Sequence, residues 1–217
     1  MSGYPIVLQL AGRLAVVVGL GPVGRRKALG LLDAGARVRG IDPAGWDAGP
    51  SSNLMVEEGR YRDAHLDGAM LVFAAATPEV NASVVRDAHR RGLLVNSASE
   101  PASGDFAVPA SWRSGPILLS VSTSGAGPAL ASNLRDRAAG AIGAAASEQA
   151  RLLVDLRPIV LERVADEPTR RAILRTWSEA RWRDRWAELG REGVRAEWLR
   201  ILDRLTNKDG EEHVRRE

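Results

Sequence analysis

Val16-Val17-Val18-Gly19-Leu20-Gly21-Pro22-Val23-Gly24-Arg25-Arg26-Lys27 carries the strongest structural signal in the chain. A short, wholly apolar, β-branched run reads as a parallel strand covered on both faces. It ends in a Gly-x-Gly-x-x-Gly turn, and a helical pattern follows. Gly19 permits the tight turn out of the strand, Gly21 lets backbone approach a pyrophosphate, and Gly24 lets the helix pack closely on the sheet. With Pro22 and Val23 opening the helix, free N–H groups and the positive end of the helix dipole face the phosphates. A second apolar run, Val38 to Ile41, closes on Asp42, followed by Pro43. That puts a carboxylate about 20 residues past the glycines, where it can accept hydrogen bonds from a ribose 2′-OH. Strand, glycines, helix, strand and acid in this order point to a dinucleotide site. The alternative is an ordinary strand–helix turn with chance glycines.

Outward from this segment the same rhythm continues. Tyr4 to Leu10 is an extended lead-in, turned into the first strand by Gly12-Arg13. The first helix is expected from Pro22 to Ala34, with Val23, Leu31 and Leu32 on its apolar face and Gly35 as its stop. Arg37 to Ile41 is the second strand, Pro43 to Asn53 a loop, Leu54 to Val56 a weak third strand, and Asp67-Gly68 a turn. Ala69 to Ala75 is the fourth strand. Thr77 then caps a helix with Pro78 at its first position and Val80, Val84 and Ala88 at helical spacing. Gly92 ends it, and Leu93 to Asn96 is the fifth strand. This β-α-β-β-α-β order predicts an α/β fold with a parallel sheet that binds ligand at the carboxyl ends of its strands. Those ends add Ala75, Thr77 and Asn96 to the cofactor-binding candidates Gly19, Gly21, Pro22, Val23, Gly24, Asp42 and Pro43.

Beyond Pro109 the pattern changes. Ile117 to Ser122 is another strand, ending in Thr123-Ser124-Gly125-Ala126-Gly127, and Pro128 opens a helix to about Gly143. A polar, glycine-rich loop at a helix start suits a carboxylate or phosphate, although a plain strand–helix connection would look the same. From Glu148 onward the chain is helical, amphipathic and Arg-rich. Its Trp177, Trp182, Trp186 and Trp198 are expected in core or interface packing. Asn207 to Glu217 reads as a solvated tail.

The chain has 217 residues, room for one α/β domain and a smaller unit, and no cysteine, which excludes disulfides, thiolate metal sites and a cysteine nucleophile. No apolar run reaches membrane-spanning length, and the start lacks the charged and apolar regions of a signal peptide, so a cytoplasmic protein without membrane contact is expected. His65, His89 and His213 are scattered, which argues against a histidine metal site. The net charge is +3 and the pI about 9.9. Acidic residues alternate with arginine through the C-terminal helices, leaving no clean basic stripe for nucleic acid.

Several further segments complete a recognisable set: Pro5 to Arg13, Leu66-Asp67-Gly68, Ala74 to Asn81, Val95-Asn96, Asp105-Phe106, and Val121 to Gly125 followed by Pro128-Ala129-Leu130-Ala131 and Leu134-Arg135. With the glycine turn and Arg26-Lys27, the chain from Tyr4 to Arg137 resembles the precorrin-2 dehydrogenase family, also seen as the N-terminal half of siroheme synthase. The resemblance implies a Rossmann-type domain over residues 1–112, a strand–helix dimerisation segment over 113–146, a helical domain over 147–217, and a homodimer. It implies NAD as cofactor and oxidation of the tetrapyrrole precorrin-2 to sirohydrochlorin, on the way to siroheme, with ferrous iron insertion in some members. The chain is too short for the methyltransferase half of a full siroheme synthase. The substrate bears eight carboxylates, for which Ser122, Thr123, Ser124, Gly125, Asn133 and Arg135 are the implied binding residues.

Three departures from the family pattern matter. Ser99 stands where the family carries an Asp implicated in catalysis, with Glu100 as its neighbour, and these two are the catalytic candidates. Ala126 and Gly127 replace a Lys or Thr and a Ser before the proline, and the loop between Ala75 and Pro78 is short. An unactivated hydroxyl is a poor base. Metal insertion is therefore the weaker activity, and a catalytically impaired homologue that binds tetrapyrrole or senses NAD(H) is the alternative.

Overall fold

A computed structural model describes residues 3–49 and 51–214, the side chains of residues 207–214 excepted. The chain forms two compact units, Ser2–Val108 and Pro109–Glu217.

The first unit is a five-stranded, all-parallel sheet in the order β3-β2-β1-β4-β5. Its strands are β1 (Leu14–Val18), β2 (Arg37–Asp42), β3 (Leu54–Glu58), β4 (Leu71–Ala74) and β5 (Leu94–Ser97). Helix α1 (Pro22–Asp33) joins β1 to β2, and α2 (Pro78–Arg90) joins β4 to β5. Side chains alternate across β1, so Val16 and Val18 face one layer and Ala15 and Val17 the other. The first layer is closed by Val84, Val85 and Ala88 of α2, the second by Ala28 and Leu31 of α1. Both faces of β1 are thus covered, as continuous apolarity demands. Gly35, at φ +78°, ends α1 in the left-handed conformation glycine adopts without steric cost. One expectation for α1 fails: Val23 is exposed instead of joining the apolar face, which is built from Gly24, Ala28 and Leu31. The chain runs outward from β1 to β2 and β3 on one side and through β4 to β5 on the other. The direction reverses between β1 and β4, and a crevice opens at the carboxyl ends of such a pair.

The second unit begins with an antiparallel hairpin, β6 (Ala110–Ser114) and β7 (Ile117–Val121), that packs on the long helix α3 (Pro128–Arg163). Strand β6 was not anticipated, because apart from Trp112 it has no apolar alternation to mark it. Its signal was the two-residue Gly115-Pro116 link, where φ +54° at Gly115 suits the first position of a tight hairpin turn. Helix α3 is interrupted at Gly143, whose φ and ψ of 70° and 169° are not helical. Helices α4 (Glu167–Trp177) and α5 (Arg181–Val214, interrupted at Gly190) complete the unit. Their core is aromatic: Trp177 and Trp198 stack at 5.0 Å with Trp182 edge-on to Trp198, all three buried. Trp186 packs against the same cluster. The segment read as a tail is helical to Val214, with its side chains and residues 215–217 outside the described residues. Among the described residues no helix is long and apolar enough to cross a membrane.

Candidate functional site

The glycine turn is shaped by contacts that tolerate no side chain at two of its three glycines. A Cβ on Gly24 would lie 1.8 Å from the Gly19 carbonyl oxygen, so helix and strand end are in direct backbone contact. A Cβ on Gly19 would lie 2.5 Å from the backbone of Ala75 and Ala76, so the ends of β1 and β4 are equally close. Gly21 differs: nothing lies within 4 Å of its would-be Cβ, and it is the N-cap residue of α1 without a side-chain cap. The first turn of α1 therefore keeps its N–H groups uncapped beside open space, a place for an anion.

Asp42 is joined to this turn. Its Oδ2 accepts from the Leu20 amide at 2.7 Å and its Oδ1 from the Ala44 amide at 2.9 Å. An ionised carboxylate has about four acceptor positions. Two remain for the hydroxyls of a ribose. Pro43 follows, exposed, at the rim.

At the end of β4, Asn81 organises the loop. Its Oδ1 accepts from the Ala76 amide at 2.8 Å, and its Nδ2 donates to the Ala76 carbonyl at 3.1 Å and to Ser99 Oγ at 2.9 Å. Asn81 is 1% exposed and lies in the first turn of α2. Sequence reasoning gave it no role. The available signal was a polar residue in the buried stripe Asn81, Val84, Val85, Ala88. Thr77 is the N-cap of α2, though without a side-chain capping bond. Because Ser99 Oγ accepts from Asn81, its own proton is free to be donated. No base among its hydrogen-bond partners withdraws that proton. Glu100 is exposed; its amide donates to Ser97 Oγ at 3.2 Å.

Asn96 is committed inside the unit. Its Oδ1 accepts from Lys27 Nζ at 2.7 Å, and its Nδ2 donates to the Phe106 carbonyl at 2.8 Å. Lys27 reaches it across Phe73, 5.2 Å from the ring centroid. Burial, and secondarily the charge of Arg26, hold the Lys27 ammonium below the usual lysine range.

The remaining candidates belong to the second unit. Ser122, Thr123, Ser124 and Gly125 run from β7 towards α3. Ser124 at φ +51° and Gly125 at φ +94° form a turn closed by the Ala126 amide on the Thr123 carbonyl at 3.0 Å. Asn133 is exposed on α3, and Arg135 pairs with its neighbour Asp136 at 2.7 Å.

The first unit coincides with a match to the family model described as "Putative NAD(P)-binding", over residues 6–110. The siroheme synthase of Methylobacillus flagellatus is 35% identical over 179 residues, 79% of this chain and 38% of that protein. That of Chromobacterium violaceum is 34% identical over 184 residues, 81% of this chain and 38% of that protein. The chain is related in sequence to the siroheme synthases. It spans 38% of the length of these siroheme synthase relatives. The solved structure of SirC, precorrin-2 dehydrogenase, superposes with a TM-score of 0.74 at 21% identity, covering 93% of this chain and all of that one. The fold is shared with that structure, both the parallel sheet and the helical region.

Proposed function

We propose that this chain is an NAD-dependent precorrin-2 dehydrogenase that forms sirohydrochlorin for siroheme synthesis, acting as a cytoplasmic homodimer. The carrying observation is the glycine cradle: two glycines in backbone contact, a third facing open space, and Asp42 tied to the same turn. These residues fit a dinucleotide. The Gly21 turn and the start of α1 would hold the pyrophosphate, with Pro22 and Val23 beside it, and Asp42 and Pro43 the adenosine ribose. Ala75 and Thr77, on the loop that Asn81 clamps, would line the rest, with Asn96, bonded to Lys27 and the Phe106 carbonyl, buried behind them.

Bound there, NAD⁺ supplies the hydride acceptor. The chain contributes position, since holding two reacting centres together accounts for much of such a rate. Ser122 to Gly125, Asn133 and Arg135 are the residues assigned to the substrate's carboxylates. Ser99, held by Asn81, donates a hydrogen bond and does not remove a proton. The exposed Glu100 is the carboxylate nearest in sequence to take one. Oxidation extends the tetrapyrrole's conjugation and so favours proton loss from the ring, and a weak base suffices. Metal insertion needs removal of pyrrole protons, which makes it slow here. In this reading residues 1–112 bind the cofactor, 113–146 pair two copies, and 147–217 form the helical domain.

The uncharged Ser99–Asn81 pair favours one second reading, a homologue that binds tetrapyrrole or NAD(H) with little turnover. Incubation with precorrin-2 and NAD⁺ separates the two: NADH and the sirohydrochlorin spectrum are expected to appear together. Binding of both compounds without NADH would establish the second reading in place of the first.

A further inference from the structure

We propose that Arg25 and Trp46 form the wall against which the adenine base of the dinucleotide packs. The proposal rests on the dinucleotide reading of the glycine cradle and adds the residues that bind its adenosine end. Arg25 follows Gly24 in the first turn of α1 and is exposed. Its Nε donates to the Leu20 carbonyl at 2.7 Å, and its guanidinium carbon lies over the Trp46 ring, 5.4 Å from the centroid. Among the described residues no carboxylate stands within ion-pair distance of it. The same residue, Leu20, gives its amide to Asp42 Oδ2 at 2.7 Å. One residue of backbone therefore separates the Arg25 anchor from the Asp42 anchor, at most about 9 Å between Arg25 Nε and Asp42 Oδ2.

Trp46 is fixed to the same corner. Its half-buried indole packs on the core layer under α1. The turn leading to it is closed by the Ala44 amide on Asp42 Oδ1 at 2.9 Å and the Gly45 amide on the Asp42 carbonyl at 3.1 Å. A dinucleotide with its pyrophosphate at Gly21 and its ribose on Asp42 presents its base to the loop after β2, where Trp46 sits. A guanidinium held beside an indole offers a purine a flat, cationic, aromatic surface. Because Arg25 is held at Nε and over the ring before ligand arrives, little ordering is left to binding. A 2′-phosphate is the less favourable occupant of this corner: Asp42 is there, and Glu58 pairs with it in register from β3.

The test is calorimetric titration of the full chain and of Arg25→Ala and Trp46→Leu with 5′-AMP, nicotinamide mononucleotide, NAD⁺ and NADP⁺. Both variants are expected to weaken 5′-AMP and NAD⁺ by about tenfold, within the range of a lost base-stacking contact, and to leave nicotinamide mononucleotide unchanged. Arg25 is on the surface, so the Arg25→Ala result does not depend on whether Trp46→Leu folds. Unchanged 5′-AMP affinity in Arg25→Ala would overturn the wall while NAD⁺ binding still upheld the cradle. A loss confined to NADP⁺ would overturn it in favour of a phosphate contact. Absence of NAD⁺ binding by the unaltered chain would remove the cradle reading and the wall together.

Discussion

Asp42 illustrates how one carboxylate serves both fold and ligand. The hydrogen bond from the Leu20 amide ties the glycine turn to the end of β2, the one from Ala44 closes the turn after it, and about two acceptor positions are left. NAD⁺ is therefore expected to bind more tightly than NADP⁺, whose 2′-phosphate would meet a like charge. Arg39, a cation on the same strand, is no rescue: its Nη1 donates to the carbonyls of His65 at 2.7 Å and Asp67 at 3.3 Å. Asp42→Ala should lower NAD⁺ affinity about tenfold or more, the scale of hydrogen bonds to a charged group. Calorimetry checks both statements, and tighter NADP⁺ binding would refute the first. Ser99 invites the opposite experiment. Asn81 Nδ2 already points a donor at position 99, so Ser99→Asp places a carboxylate on a waiting amide. That variant should raise the rate of metal insertion and also speed dehydrogenation, whereas Ser99→Ala should slow dehydrogenation by less than about tenfold. Stopped assays of both reactions decide it; no gain in either rate would strip position 99 of its role. Asp42 and the glycines were legible because their duties are local and their spacing is set by one turn and one helix. Asn81 and Leu20 were not. Their partners Ser99 and Asp42 lie 18 and 22 residues away, and only the packed loops bring them together.

At the scale of elements, the parallel sheet was legible from continuous apolar runs, because burial on both faces leaves no other composition for β1 and β4. Strand β6 was hidden for the converse reason. It alternates between partly buried and exposed positions with Ser and Arg among them, and the Gly115-Pro116 turn was its one marker. The turn between β1 and α1 gives a sharper test of element logic. Gly24→Ala would drive a methyl into the Gly19 carbonyl, a backbone atom that cannot move aside, so α1 must lift from the sheet. Gly21 has φ −67° and open space around its Cβ position, so Gly21→Ala should fold normally while its methyl occupies the phosphate approach. Thermal melts should therefore separate the two variants: a large fall for Gly24→Ala and almost none for Gly21→Ala. NAD⁺ titration should find binding lost in Gly21→Ala although the fold is intact. Full NAD⁺ affinity in that variant would mean that the pyrophosphate does not lie on this turn.

For the whole molecule, the open question is what covers the hairpin and the first half of α3. Only Ala131 is buried between Pro128 and Gly143, while Leu130 is 47% and Leu134 41% exposed. These two leucines stand four residues apart and so on one face of the helix. Leu118 of β7 is also exposed, although the hairpin packs on α3. Paired apolar side chains on one helix face and on a short hairpin are what a second copy of the same chain would bury, in an interface repeated about a two-fold axis. A homodimer is accordingly expected, with light scattering at micromolar concentration giving about twice the 23.3 kDa chain mass. Leu130→Glu combined with Leu134→Glu should shift the protein towards monomer, because burying two unpaired carboxylates per copy is costly. Both positions are exposed in the single chain, so the double variant should fold within its own unit, and circular dichroism can confirm that its helices persist. An unaltered chain that scatters as a monomer would refute the dimer. A double variant that remains dimeric would place the interface elsewhere on the chain.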